Sequence, residues 1–569
     1  MRSSIRRVQR VAAMLVFLAL GATGTGGAAA APPPTDPGLV YSHDTRWQVD
    51  DVPEVGAMEG TVRAVLTKNY VEYRGADGKR IAGFAPGSTY TYFQLPGWTP
   101  FYLYARDTAT VLPMARFYYD ADAMRTTVEE FLRLQYADGA ISATVSPDFK
   151  VDKATVVSDE ETSLILAAAT AYRSVPETAW LGKPIAGQPV IARLNRAMAW
   201  LFATRSDPAT GLIKRGHTTD WGDVKWETDG DPSHMEPADQ WTASIYDQAI
   251  TYGALQALAT MDDAAGRPDD AQHWRDEAGV LRAGTDRLLW QGDAGRGYYR
   301  IHVHLSPDTI QHDVDEGAIV AIGNAAAVYY GLAGADKVPR ILDALERARL
   351  EAGAPKVGLS LQPPYTGWHQ SQMDQHVYQN GALWDWWAGR QISAEFWSGY
   401  QRLAREHLLG LAADWASHPG EVREWESPWI NRTGADPRYA GAAAVVGQSV
   451  VEGLFGVDLT GRDVRLTPRL GQHSGSVRTY EPATDLYAAY RYVVTPSRVT
   501  LSYGSNSPTA LSVRMPVLWR DRTVLRLDDK DTLSGIVERT GEDSDLLVIV
   551  PSGTHRIDML RNRPGRRAF

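Results

Sequence analysis

Between about residue 100 and residue 458, apolar side chains recur at i, i+3 and i+4, and this periodicity constrains the fold more than any other feature of the chain. The pattern covers 108–119, 124–136, 160–172, 190–204, 245–261, 271–290, 318–333, 338–352, 381–387, 394–415 and 440–455, which read as about eleven helices. Asp/Gly turns close alternate segments: Asp138-Gly139-Ala140-Ile141, Asp207 to Ile213, and Asp293-Ala294-Gly295-Arg296-Gly297. They recur every 70–85 residues or so, roughly the length of a helical hairpin with long loops. An open solenoid has shorter and more regular repeats, so the expectation is a closed ring of hairpins.

Both flanks differ from this body. Residues 31–99 read as a turn-rich lead-in segment with a hairpin near Tyr70–Tyr73 and Gly75–Gly78. After 458, short β-branched runs at 464–468, 487–490, 499–503, 511–513, 524–527 and 546–550 predict a small β-sandwich over 459–560. Residues 561–569 read as a disordered tail. At the other end Arg2, Arg6, Arg7 and Arg10 precede an apolar run over 11–20, and small residues follow up to Ala31. That is the pattern of a signal peptide over 1–30, which predicts a secreted, extracytoplasmic protein with no stable membrane insertion. The chain has no cysteine, which excludes thiol catalysis and thiolate metal sites and leaves stability to core burial. Its net charge of −10, with both signs mixed throughout, argues against a nucleic-acid partner.

The 18 Trp and 26 Tyr gather in loop-like clusters, and aromatic faces of that kind suit the C–H faces of sugars. In Thr218–Glu227, Asp220 and Asp223 flank Trp221-Gly222, with Trp226 close behind. A carboxyl set against indole is desolvated, which raises its pKa as a general acid requires. Arg423–Trp429 again places carboxyls, Glu424 and Glu426, among indoles, Trp425 and Trp429. An acid and a base on opposite faces of a sugar stand about 6.5–9.5 Å apart in an inverting glycosidase, and two loops over the mouth of a ring can supply them. Tyr378-Gln379-Asn380-Gly381-Ala382-Leu383-Trp384 offers an amide and rings for sugar hydroxyls, and Arg106-Asp107 offers a charged pair. Ser158 and Glu161 read as a capping box. Asp229, Asp231, Glu236 and Asp239 match no calcium loop, and His302 and His304 alternate as on a strand facing solvent, so no metal and no cofactor is assigned.

These motifs, in this order, resemble the six-hairpin (α/α)6 glycosidases: debranching glucosidases, glycoside hydrolase families 63, 37 and 94, and the α-L-rhamnosidases. The residues that carry the resemblance are Arg106-Asp107, Trp221-Gly222-Asp223, Tyr378 to Trp384, and Glu424 to Pro428. The resemblance implies a mainly α chain, an (α/α)6 toroid at 100–458 followed by a rhamnosidase-like C-terminal sandwich. It implies an exo-acting, inverting hydrolase of a carbohydrate substrate, with Asp223 as acid and Glu424 as base. Asp220 and Glu426 stand as alternates, and Arg106, Asp107, Trp221, Trp226, Tyr378, Asn380, Trp384 and Trp425 as sugar contacts. Where a rhamnosidase acid loop would carry an acidic–Arg pair, this chain has Arg215-Gly216-His217. A polysaccharide lyase using His217, Tyr246, His376 or Tyr378 and a non-catalytic sugar-binding protein are the rival readings. A phosphorylase is disfavoured by export.

Overall fold

Pro53 at the first turn and an apolar stripe of Val55, Met58, Val62, Val65 and Leu66 make the first long helix, α1 (Pro53–Asn69). It lies inside the segment expected to be a turn-rich lead-in, so the helical body begins about fifty residues earlier than the periodicity after residue 100 suggested. The computed structural model describes residues 39–562, apart from 76, 88–100, 150, 228–229, 306–313, 369–370, 435 and 520–521. The signal-peptide reading of 1–30, most of the 561–569 tail and Asp229 lie outside the described residues.

Among the described residues eleven further α-helices of seven residues or more follow: α2 (Ala105–Ala115), α3 (Ala121–Arg133), α4 (Glu160–Ser174), α5 (Val190–Arg205), α6 (Ile245–Ala264), α7 (Pro268–Leu288), α8 (Gly323–Tyr329), α9 (Val338–Glu351), α10 (Asp385–Trp397), α11 (Gln401–Ser417) and α12 (Ala440–Gln448). The even-numbered helices pack on one another in chain order, and α12 returns to pack on α2. Each odd-numbered helix packs outside, α3 and α5 on α4, α7 on α6, α9 on α8, α11 on α10 and α1 on α12. The inner helices are buried nearly all round (every residue of α12 is buried), whereas α7 and α9 bury a single stripe. No described helix is long and apolar enough to cross a membrane.

Three segments differ from the periodicity. The helix expected over 381–387 starts only at Asp385 and runs on to Trp397. The helix expected over 394–415 breaks at Ser398-Gly399, where Gly399 takes a φ of +82°. The helix expected over 318–333 is a short 3-10 turn, a strand and then α8.

The C-terminal region holds two sheets. One runs in spatial order Arg46–Val49, Gly475–Glu481, Leu486–Thr495, Arg498–Ser505, Gly553–Asn562, Arg522–Leu527, Asp531–Leu533. The other is a five-stranded sheet containing Val457–Thr460 and Asp543–Val550. Alternating burial, as in Gly475–Glu481, gives each sheet an inward face. The lead-in thus supplies an edge strand, β1 (Arg46–Val49), paired antiparallel with Gly475–Glu481. The expected hairpin is present as β2 (Tyr70–Arg74) and β3 (Arg80–Phe84).

Candidate active site

Four of the six inner helices begin around one cleft of about 710 Å³, a size suited to a small ligand. Arg106 and Asp107 come from the first turn of α2, Asp159 and Glu160 from the start of α4, Trp384 and Trp386 from the start of α10, and Tyr439 from the cap of α12. Asp223 and Glu424 reach the same cleft from two loops. Helix N-termini carry partial positive charge, which suits a cleft this rich in carboxyls.

The loop that carries Asp223 is anchored from below by Asp220. Asp220 adopts a left-handed φ of 56°, which aspartate tolerates better than most residues. Its buried carboxyl accepts hydrogen bonds from the backbone N–H of Tyr246 (3.1 Å) and Gly323 (2.8 Å), in the first turns of α6 and α8. Burial pushes it up to about 7. A Cβ on Gly323 would fall on the Asp220 carboxyl, so the close approach requires glycine there. Asp220 therefore holds two helix ends and does not line the cleft. Three residues on, Asp223 turns the other way. Its backbone N–H donates to Gln379 Oε1 (3.1 Å), its side chain is 38% exposed, and one carboxylate oxygen lies 3.9 Å from Arg106 Nη1.

Arg106 itself is held by Asp159 in a two-pronged pair of 2.8 and 3.0 Å, and Tyr246 donates its hydroxyl to the same carboxylate at 2.8 Å. Burial works against the Asp159 charge, but the Arg106 guanidinium holds that carboxyl below its ordinary range. Asp107 accepts from the Tyr439 hydroxyl (2.9 Å), and burial pushes it up to about 6. Glu424 is pushed up to about 8, first by burial and then by the charges of Asp107, Asp223 and Asp436. Under the cleft Trp221 meets Trp384 and Trp386 edge-on at 4.8 and 5.5 Å. Trp221 and Trp384 are each 1% exposed, so they wall the carboxyls more than they offer a stacking face.

Other expected site residues lie elsewhere. Glu426 is ion-paired with Lys356 and Arg423, both at 2.6 Å, and does not line the cleft. Asn380 is fully buried and braces its own loop, accepting from Tyr365 N–H (2.8 Å) and donating to Met373 O (2.7 Å). Trp226 packs into a separate apolar cluster with Tyr365 and Trp368. Trp425 sits behind Tyr378, with ring centroids 6.2 Å apart. The capping-box reading of Ser158 and Glu161 is also corrected. Ser158 donates to Lys214 O, and Glu161 accepts from Ile141 N–H. Asp239, one of the acids weighed for calcium, pairs with Lys225 at 2.6 Å. His302 is 2% exposed and does not face solvent.

No family model matches the sequence, and no curated protein matches it. Solved structures do. An α-L-rhamnosidase from Dictyoglumus thermophilum superposes with a TM-score of 0.60 at 13% identity, over 91% of this chain and 50% of that one. The chain shares its fold with α-L-rhamnosidases. Streptomyces avermitilis α-L-rhamnosidase, solved with L-rhamnose, gives 0.58 at 15% identity over 90% of this chain and 42% of the other. A family GH78 rhamnosidase from Bacillus sp. GL1 gives 0.55 at 13% identity over 80% and 41%. The chain thus spans half or less of these rhamnosidases' length. Within this rhamnosidase-like fold, sequence reasoning missed Asp159, Gln379 and Tyr439 as partners of Arg106, Asp223 and Asp107. A local signal existed for Asp159, because three consecutive acids at a helix start exceed what a cap needs.

Proposed function

We propose that this chain is an exported glycosidase. Its ring of helices is read as the (α/α)6 toroid, and it hydrolyses a terminal sugar with inversion. The observation that carries the reading is the meeting of Asp223 and Glu424, far apart in sequence, in one cleft where burial, and then the charges of Asp107 and Asp223, raise the Glu424 pKa. Asp223, beside Arg106, protonates the glycosidic oxygen while Glu424 takes a proton from the attacking water. The bond from the anomeric carbon to the leaving oxygen breaks as the bond to water forms. Asp107 and Arg106 are placed to hold hydroxyls of the sugar. Because Glu424 is pushed up to about 8, a second assignment also has support: Glu424 as the acid and Asp223 as the base. The fold shared with rhamnosidases puts α-L-rhamnosides first among the substrates to try.

A lyase is disfavoured by the cleft itself. Asp107, Asp152, Asp159, Glu160, Asp223 and Glu424 face Arg106 as the one basic lining residue among those described, and such a cleft repels a polyuronate. Of the residues weighed for a lyase, only Tyr378 lines it.

The test is a panel of aryl glycosides against wild type, Asp223→Ala and Glu424→Ala. Each variant is expected to lose about 10²–10⁴-fold in turnover on poor leaving groups. The acid variant keeps its rate on a dinitrophenyl glycoside. The base variant recovers with azide. Unchanged turnover in both variants would remove the two carboxyls from the chemistry. Sugar binding without turnover by the wild type would make the chain a binding protein. Export is checked by sequencing the N-terminus of the mature protein, expected near residue 31.

A further inference from the structure

We propose that His217, His302, His304 and Glu316 form a binding site for a divalent zinc-type ion, which ties the Asp223 loop to the body of the protein. The site does not depend on the glycosidase reading. It is built on a three-stranded sheet of β4 (Arg215–Gly216), β5 (Trp241–Ser244) and β6 (His302–His304), with β5 in the middle. Strand alternation puts His302 and His304 on one face of β6. His217 directly follows β4, and its N–H continues the ladder to Gln240 O at 3.0 Å. Thr242 of β5 pairs with both Arg215 and His304, so the registers bring the three imidazoles together. Their ring centroids lie 5.1, 5.1 and 5.0 Å apart. Glu316, from the turn after β6, meets all three Nε2 atoms, at 3.3 Å from His217, 2.7 Å from His302 and 2.6 Å from His304.

The donor set is three imidazoles and one carboxylate, with ligand atoms all within 4.8 Å of one another. A tetrahedral ion with bonds of about 2.0–2.2 Å holds its ligand atoms about 3.3–3.6 Å apart, so the Glu316 oxygens must move out from His302 and His304, and the widest-spaced donors in, by roughly an ångström to admit it. Nitrogen donors with one oxygen suit zinc and its neighbours and not magnesium or calcium. The surroundings also fit. Tyr365 donates its hydroxyl to Glu316 Oε1 at 3.1 Å, the outer-sphere orientation that metal carboxylates commonly have. Trp226 and Trp368 cover His217 at 5.5 and 6.2 Å between centroids.

The position gives the site a role. Trp226 N–H donates to His217 O at 2.8 Å, which closes the base of the loop carrying Asp223. Tyr365 is held by Asn380, next in sequence to Gln379, which in turn holds the Asp223 backbone. One ion would therefore fix both loops that meet at Asp223.

The test uses the full-length protein, stripped with chelator, and zinc or cobalt(II) alone as probe. Wild type is expected to take up one equivalent of zinc, to gain thermal stability with it, and to show visible d–d absorption with cobalt. His302→Gln with Glu316→Gln is expected to lose that uptake by at least a hundredfold in affinity. His304→Gln, at a half-buried position that a folded chain tolerates, is expected to lose at least tenfold, and its circular dichroism reports folding. Tyr365→Phe is expected to weaken zinc by about tenfold or more. Two results overturn the site: stripped wild type that binds no zinc, or folded His304→Gln that binds it as tightly as wild type.

Discussion

At the scale of single residues, three positions in one loop separate a structural carboxyl from one that lines the cleft. Asp220 satisfies two backbone N–H groups at two helix starts, whereas Asp223 turns into the cleft. Asp220→Ala is expected to cost about 2–4 kcal/mol in urea unfolding, because both donors lose their acceptor. Asp223→Ala is expected to move stability by less than about 1 kcal/mol while lowering turnover on poor leaving groups by about 10²–10⁴-fold. Glu424 sets a pH limb. Its folded pKa of about 8 lies above the ordinary glutamate value, so the limb of kcat/KM assigned to it has its midpoint near 8. The rate rises through that midpoint if Glu424 is the base and falls if it is the acid. The limb is expected to vanish in Glu424→Gln. The sequence made the acid-and-indole loops legible, together with Asp223 and Glu424 in them. It did not reveal that Asn380, Trp226 and Trp425 turn inward, because side-chain direction in a loop depends on partners in other segments: Tyr365 and Met373 for Asn380, Trp368 for Trp226 and Tyr378 for Trp425.

At the scale of elements, helix existence after residue 100 was legible from the i, i+3, i+4 pattern, and the breaks were not. Gly399 ends α10 because the chain must turn where it meets Thr540 and Gly541 of the C-terminal sheets, a contact no local pattern carries. A Cβ there would fall on the Thr540 carbonyl oxygen, so Gly399→Ala is expected to destabilise by more than about 1 kcal/mol, read as a lower urea midpoint. The next helix pair is tied by His407 of α11, which sits 2.9 Å from Glu395 of α10 and 3.2 Å from Glu346 of α9. Burial opposes its charge, but Glu395 and Glu346 push it up to about 9. The folded value lies above the ordinary histidine value of about 6.5, so this stabilisation is complete below that pH and is lost as pH rises through about 9. The stability of wild type is expected to fall over that window, and the fall is expected to shrink in His407→Gln.

At the scale of the whole molecule, the early chain does two jobs the sequence did not announce. α1 packs on both α11 and α12, and β1 adds an edge to a C-terminal sheet. A 17-residue helix with a weak stripe is hard to read beside turn-rich neighbours, and an edge strand has no local partner. Ring and sheets are joined by Arg116, the C-cap of α2, fully buried, which pairs with Glu452 at 2.8 Å and Glu481 at 3.0 Å. Arg116→Ala takes the ion pair from buried Glu481 and leaves Glu452 with Arg173 alone, and is expected to cost about 3–5 kcal/mol in urea unfolding. The same architecture gathers the N-termini of α2, α4, α10 and α12 at one mouth and brings two distant carboxyls together there. The most direct test of that pairing is proton NMR of the first sugar released from the aryl glycoside that turns over fastest. The account predicts the anomer of inverted configuration, formed before mutarotation. A first product of retained configuration would contradict it.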